Sequence, residues 1–269
     1  QNLFMGDVVT SRVYRNSFIF RGSTPIGKRE ADFVLSEDPW FRPVDVKLGP
    51  DGAIYIADFY NSIIGHYEVP LDHPKRDKIR GRIWRITYKG QSNKKQDLTA
   101  ATATELINAL NADNIKIRIE AANQLVNRIG NGAIEPAKSV LTKKDVAARE
   151  YVHSLWVLHR LNALTDDIIK TSATHADPLI RLHIMRVLAE QKDTAAALYP
   201  LIVSALDDKN AHVQRAAAEL MGRYVNADAV NKLIAFRKKV EDFDTHMIYT
   251  IRLTLRNMLR HEFLMNEIA

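Results

Sequence analysis

The sequence has no cysteine. Within these 269 residues that excludes disulfides, cysteine nucleophiles, thiolate metal sites and C-x-x-C-H attachment of haem. It also leaves the redox compartment unread. No apolar run reaches the roughly 18 to 20 residues that span a bilayer. No basic-then-apolar signal segment opens the chain, which starts in mid-pattern with "QNLFMGDVV", a strand already under way. There is no G-x-S-x-G, H-E-x-x-H, P-loop or Rossmann glycine pattern, so an autonomous hydrolase, kinase or nicotinamide enzyme is disfavoured.

What is present is an ordinary globular composition, 46% hydrophobic, long enough for one large or two modest domains. The net charge of +6 is placed unevenly. Residues 1–96 carry 16 Lys and Arg against 11 Asp and Glu, whereas residues 97–269 carry 22 against 21. Most of the surplus lies in "KRDKIRGRIWRITYKGQSNKK", Lys75 to Lys95. That stretch reads either as a face for an anionic partner or as a solvated loop, strand and linker. A nearly neutral second part without a nucleic-acid motif speaks against nucleic-acid binding.

The first 90 residues read as strands. "RPVDVKL" alternates, with Val44, Val46 and Leu48 on one face, and "GPDG" makes a tight turn. "AIYIADFY", "IGHYEV" and "GRIWRITY" follow as second, third and fourth strands, the last alternating Ile83, Arg85 and Thr87 against Arg82, Trp84 and Ile86. Four short strands in about 45 residues is the size of a propeller blade. Upstream, "NLFMGDVVTSRVY", "SFIFRG" and "ADFVLSE" read as three strands of a preceding blade. About two blades leave an edge and an inner face uncovered. The expectation is therefore a partial β-propeller from the C-terminal part of a longer protein.

"GQSNKKQD" is a polar linker, and beyond it the apolar period changes from 2 to 3.6. Ile115, Ile119, Ala122, Val126 and Ile129 step at helical spacing, as do Val213, Ala217, Leu220 and Tyr224, and Ile248, Ile251, Leu255 and Met258. An Arg recurs early in four helices, at Arg118, Arg149, Arg181 and Arg215. Asp113, Asp145 and Asp177 stand ahead as N-cap candidates, with Pro178 suited to a first turn. Paired helices at this period describe an α-solenoid of HEAT or armadillo type, its Asp and Arg capping and bridging repeats. The fold class expected is thus β plus α, multidomain: propeller blades over 1–90, a linker over 91–99 and a HEAT-like array over 100–269.

The block "DPWFRPVDVKLGPDGAIYIADFYNSIIGHYEVPLDHPKRDKIRGRIWRITYKG" carries a resemblance. Its phrases F-R-P-V-D, G-P-D-G, A-D-F-Y-N, I-I-G-H and G-R-I-W-R-I resemble the propeller end of the PVC-type haem-binding, putative membrane-bound dehydrogenase family. The likeness covers residues 1 to about 92. It implies a propeller related to sugar and sorbosone dehydrogenases, followed by HEAT-like repeats and a c-type cytochrome domain. With no cysteine here, that haem domain would lie outside this stretch. The resemblance further implies c-type haem, quinone or Ca²⁺ as cofactors of a parent protein, none of them in this chain. It also implies a periplasmic or cell-envelope setting.

In a blade the strands alternate direction, so the loop entering the first strand shares an end with the loop between the second and third. The first carries Trp40 and Arg42; the second carries Asp58, Tyr60, Asn61 and His66; Asp45 sits on the innermost strand. Carboxylates, an amide, an imidazole and a guanidinium at one rim suit a sugar's hydroxyls, a quinone or Ca²⁺. Each also has a structural role open to it: Asp58 can bond turn amides, and His66 can pack as a strand residue. His66 and His73 lack a third ligand at metal spacing, so no metal site is assigned. His73 and Arg76 belong by the same parity to the opposite end. His153, His159, His183, Tyr151 and Trp156 read as parts of the helical packing.

Two functions follow. One is a dehydrogenase-like protein that acts on or binds a carbohydrate-like substrate, with the helical array positioning a cytochrome or other protein partner and electrons leaving through haem outside this chain. The other is a non-catalytic propeller and HEAT scaffold that binds a glycan or protein. Under both, the 269 residues alone are expected to carry no haem and to oxidise no sugar.

Overall fold

The computed structural model describes residues 2–65, 68–90, 96–191 and 196–264. The chain forms two compact units, one of residues 1–19 and 25–97, the other of residues 20–24 and 98–269. The linker segment 91–95 lies outside the described residues.

The first unit holds two antiparallel sheets. In one, β1 (Asn2–Asp7) pairs with β2 (Arg12–Arg21), which is flanked on its other side by β3 (Thr24–Arg29) and the two-residue β4 (Val34–Leu35). The segment "NLFMGDVVTSRVY" is therefore a hairpin and not one strand. Its turn closes because the Asp7 carboxylate takes the Val9 amide at 2.8 Å and the Thr10 hydroxyl at 2.6 Å. "SFIFRG" is the end of β2, and β3, begun by Thr24 and Pro25, goes unannounced by any alternation.

The second sheet runs β5 (Pro43–Leu48), β6 (Ile54–Asp58), β7 (Arg82–Ile86). Three of the four expected strands form. The third, "IGHYEV", does not: its described residues Ile64, Gly65, Glu68 and Val69 are not strand, and β7 pairs directly with β6, Ile56 facing Trp84. The cause is Arg76, whose guanidinium donates to the carbonyls of Gly65, Val69 and Pro70. Those acceptors are thereby satisfied without a ladder. A bulge between Pro43 and Asp45 re-aims the start of β5, so Val44 is exposed and Val46 alone of the expected face packs inward. The core between the sheets is Val13, Phe41 and Ile56, with Phe4, Phe33 and Ile86 against it. Gly6 on β1 lies so close to the Pro43 carbonyl of β5 that any Cβ there would collide with it.

The second unit is helical: α1 (Ala103–Ala109), α2 (Ile115–Gln124), α3 (Ile134–Leu141), α4 (Ala148–Arg160), α5 (Asp166–Ala173), α6 (Pro178–Glu190), α7 (Tyr199–Ala205), α8 (Ala211–Met221), α9 (Ala227–Arg237) and α10 (Thr245–Met258). No strand follows Ile86 among the described residues. Helices α2, α4, α6, α8 and α10 are successive neighbours, and the shorter helices pack behind them. The buried stripes are Val213, Ala217 and Leu220 on α8, and Ile248, Ile251 and Met258 on α10, at the expected spacing. On α2 and the turn that continues it, Ile117, Ala121, Ala122 and Leu125 are buried and Val126 and Ile129 pack against them, as expected for the last three positions of the stripe, whereas Ile115 and Ile119 are exposed. Both 115/119 and 117/121 step by four, so periodicity alone did not choose between them.

Capping fixes where these helices begin. Asp177 accepts the Leu179 amide ahead of Pro178, as expected, and Thr102 and Glu105 form a reciprocal box on α1. At α2 the cap is Asn114 and not Asp113, and at α4 the cap position is Ala147, which has no side-chain bond. Asp113 is used elsewhere, 2.8 Å from Arg149 of the following repeat.

Candidate functional site

The loop after β6 is organised by one carboxylate. Asp58, the last residue of β6, is 3% exposed. Its Oδ1 accepts the amides of Arg42 at 2.8 Å and Tyr60 at 2.9 Å, and its Oδ2 accepts the indole N–H of Trp84 at 3.0 Å. Holding the Tyr60 amide this way supports a left-handed backbone at a bulky residue, φ 47°. The Tyr60 ring then lies between two partners. The Arg82 guanidinium sits 3.4 Å from its centroid, and the Trp40 ring is 5.5 Å away, tilted 49°. Arg82 reaches it because β7 places that residue opposite Asp58.

Asn61 is equally enclosed, at 2% exposure. Its side-chain N–H donates to the Asp77 carbonyl at 2.7 Å and its Oδ1 accepts the Ile63 amide. Arg42 donates Nε to the Asn61 carbonyl at 3.0 Å and Nη1 to the Val8 carbonyl at 2.6 Å. Asp45 is exposed on β5 and pairs with Lys47 at 3.2 Å. His66 lies outside the described residues. Of the six candidates, the structure thus brings Arg42, Asp58, Tyr60 and Asn61 into one bonded cluster. It occupies the polar atoms of Asp58 and Asn61 internally.

An open cleft of about 730 Å³ adjoins this cluster, with Trp40 and Ser62 on one side and residues 74–80 on the other. Arg76 lines it, which corrects the parity argument for that residue: residues 74–80 of the long loop fold back to the same cleft as Trp40. The Ser62 hydroxyl donates to the Lys75 carbonyl at 2.8 Å, and the Asn61 amide to that of Asp77, so the far wall is pinned to the near one. Trp40 is the one aromatic residue among those lining the cleft. Arg82 and Trp84 were missed as site residues. The signal that finds them is register, which sets the face of β7 that carries Arg82, Trp84 and Ile86 beside Asp58 and Ile56.

Among the described residues no group of three or more His, Cys, Asp or Glu side chains is placed to hold a metal ion. Among the described residues, no helix is long and apolar enough to cross a membrane.

Residues 165–247 match the model for HEAT repeats. Residues 1–90 match that of a domain of unknown function, DUF7133. No curated protein matches the chain.

In the helical array two of the recurring arginines, Arg118 and Arg181, bind their own repeat's turn and the next repeat, whereas Arg149 reaches back to Asn111 and Asp113 and Arg215 donates to the Ser23 carbonyl. Arg118 donates to the carbonyls of Ala112 and Asp113, and Arg181 repeats this on His175 and Ala176 while forming a two-bonded pair with Asp208 at 2.6 and 2.9 Å. Arg118 also donates Nε to His153 at 3.1 Å, and Trp156 donates its indole N–H to His183 at 3.0 Å. Both imidazoles must be neutral to accept. Burial, with the Arg118 charge added, pushes the His153 pKa down to about 4, and burial, with Arg186 and then His153, does the same to His183.

A pH dependence follows. A folded-state pKa below the ordinary 6.5 means that the unfolded chain takes up protons the folded array refuses. Stability is complete above about pH 6.5 and falls as pH drops towards 4. Discounted for partial exposure, the pair is expected to lose about 3 kcal/mol between pH 7 and 4. Urea titrations across this range should show the loss, and a His153→Asn/His183→Asn double variant should flatten it. An unchanged slope in the variant would remove these two residues as its cause.

Proposed function

We propose that this chain is a binding scaffold whose β unit holds a carbohydrate-like ligand against Trp40 and whose HEAT array docks a protein partner. One observation carries the reading: an aromatic residue, Trp40, lines an open cleft whose two walls are tied together by Ser62 and Asn61. Sugars bind proteins by laying their apolar C–H face on an indole and their hydroxyls against fixed polar groups, and a cleft tied in this way loses little freedom on closing around one. Asp58 and Asn61 shape the loop in this reading and do no chemistry.

The two sheets are then neighbouring blades of a propeller. Leu3, Met5, Val44 and Ile83, exposed on their strands, are the kind of surface that further blades would cover. The resemblance to dehydrogenase-type propellers favours a sugar over other ligands and goes with a periplasmic or cell-envelope setting. Oxidation, in a parent protein of that type, would be carried out by haem or quinone held by other residues, and no step of it is assigned to these.

Calorimetric titration with a neutral oligosaccharide such as galactotetraose tests the reading. Binding in the millimolar range is expected, weakened at least tenfold in Trp40→Ala and only partly in Trp40→Phe, with circular dichroism unchanged in both. Binding that ignores both substitutions would overturn it, as would aldose-dependent dye reduction by the purified chain.

A further inference from the structure

The cleft beside Trp40 has a second property besides its shape, which is the sign of its charge. Four cationic side chains line it, Lys75, Arg76, Lys78 and Arg80, with a single carboxylate, Asp77. That carboxylate is turned to internal use. Its Oδ1 accepts the amides of Ile79 and Arg80, each at 3.0 Å, and its Oδ2 lies 3.2 Å from Arg80 Nε. The Ile79 amide in particular holds its pKa below the ordinary value. Arg76 bonds only carbonyl oxygens, which occupy its N–H groups but leave its full positive charge uncancelled. Lys75 and Lys78 are exposed and have no ionic partner among the described residues.

The wall carrying these charges is also held still. Besides Arg76, the His73 ring takes the Lys75 amide at 3.2 Å, and the backbone turns at Pro70 and His73 close on themselves. The cations are therefore presented by a hydrogen-bonded loop that lines the same cleft as Trp40. A neutral ligand would have no use for them. An anion without a ring would have no use for Trp40.

We infer that this cleft takes an anionic saccharide, one whose sugar ring rests on Trp40 and whose carboxylate or sulfate groups meet Lys75 and Lys78. The inference rests on the carbohydrate reading above and narrows it to a ligand class.

Titrating the full chain with tetragalacturonate, galactotetraose and ADP separates the alternatives. Tetragalacturonate is expected to bind about tenfold tighter than galactotetraose at low salt, the advantage fading towards 0.5 M NaCl as the charges are screened. Lys75→Ala/Lys78→Ala should abolish that advantage and leave galactotetraose binding as it was. Both substituted side chains are exposed, so the fold should tolerate the change. Equal affinity for the acidic and neutral tetramers would overturn the inference while leaving the Trp40 reading intact. A preference that survives the double substitution would overturn it too, by placing the anion elsewhere. Binding of neither tetramer would sink both readings, and ADP binding tighter than tetragalacturonate in a Trp40-dependent way would replace the saccharide with a nucleotide.

Discussion

Asp244→Ala is expected to destabilise the helical unit by about 3 kcal/mol or more, lowering its melting temperature by about 10 °C. Asp244 caps α10 and is 4% exposed. Besides the Met247 amide, it accepts the Ser23 amide at 2.6 Å, the Ser23 hydroxyl at 2.8 Å and the Thr24 hydroxyl at 2.7 Å. Burial alone would raise its pKa, but the Ser23 amide and the two hydroxyls more than offset that and hold it below the ordinary value. Alanine leaves those donors without an acceptor and removes the cap at once, which is why the loss should exceed that of an ordinary N-cap, about 1 kcal/mol. Gly22 makes the arrangement possible: its φ is +61°, and a Cβ there would strike the Asp244 carboxylate. A depressed carboxylate contributes stability above its unfolded pKa and loses it as pH falls through the folded one, so the wild-type and Asp244→Ala melting curves should converge in strong acid. Thermal unfolding followed by circular dichroism at 222 nm reads both effects. A drop of less than about 1 kcal/mol would mean that water or a neighbour replaces the carboxylate.

The second large effect is expected at Asp58, and in stability before binding. Removing it orphans the amides of Arg42 and Tyr60 and the indole of Trp84. It also leaves the left-handed Tyr60 without its support. Asp58→Ala should cost the β unit about 3 kcal/mol and free the Tyr60 ring from its place against Trp40 and Arg82. Tryptophan emission should shift to the red in this variant, and its denaturation midpoint should fall, with the helical signal unaffected. Loss of ligand binding with an unaltered midpoint would return Asp58 to the role of a ligand-contacting residue.

How far the sequence could be read depended on whether the signal was periodic. The period change near residue 97, the strands around the GPDG turn and the stripes of α8 and α10 are repeating patterns, and the structure has them. The segment "IGHYEV" also alternates, yet its described residues form no strand, because a single guanidinium eleven to six residues away satisfies three carbonyls. No window of hydrophobicity contains that information. The N-cap at α2 differs by one residue, Asn114 for Asp113, because both types cap well and the neighbouring Arg149 selects the acid. At the candidate site, loop parity set Arg42, Asp58, Tyr60 and Asn61 together, and these four share one bonded cluster, whereas Asp45 lies exposed on β5. Parity did not count acceptors, so it could not show that Asp58 and Asn61 are bonded to their own loop and to its neighbours at Arg42, Asp77 and Trp84. Arg82 was invisible for a related reason: its place over Tyr60 depends on which residue β7 sets opposite Asp58.

The five residues Phe20–Thr24 that the helical unit includes bear on the order in which that unit is made. Ser23 and Asp244 are 221 positions apart, so their bonds close one of the longest loops the chain contains. Closing a loop of that length carries an entropic cost before any contact forms, whereas neighbouring helices meet at short range. Repeats can therefore zip up from one another early, while the start of α10 is completed only when Phe20–Thr24 closes that long loop. A helical piece cut free at residue 98 would lack that segment, and α10 would begin with three acceptor positions of Asp244 turned to water.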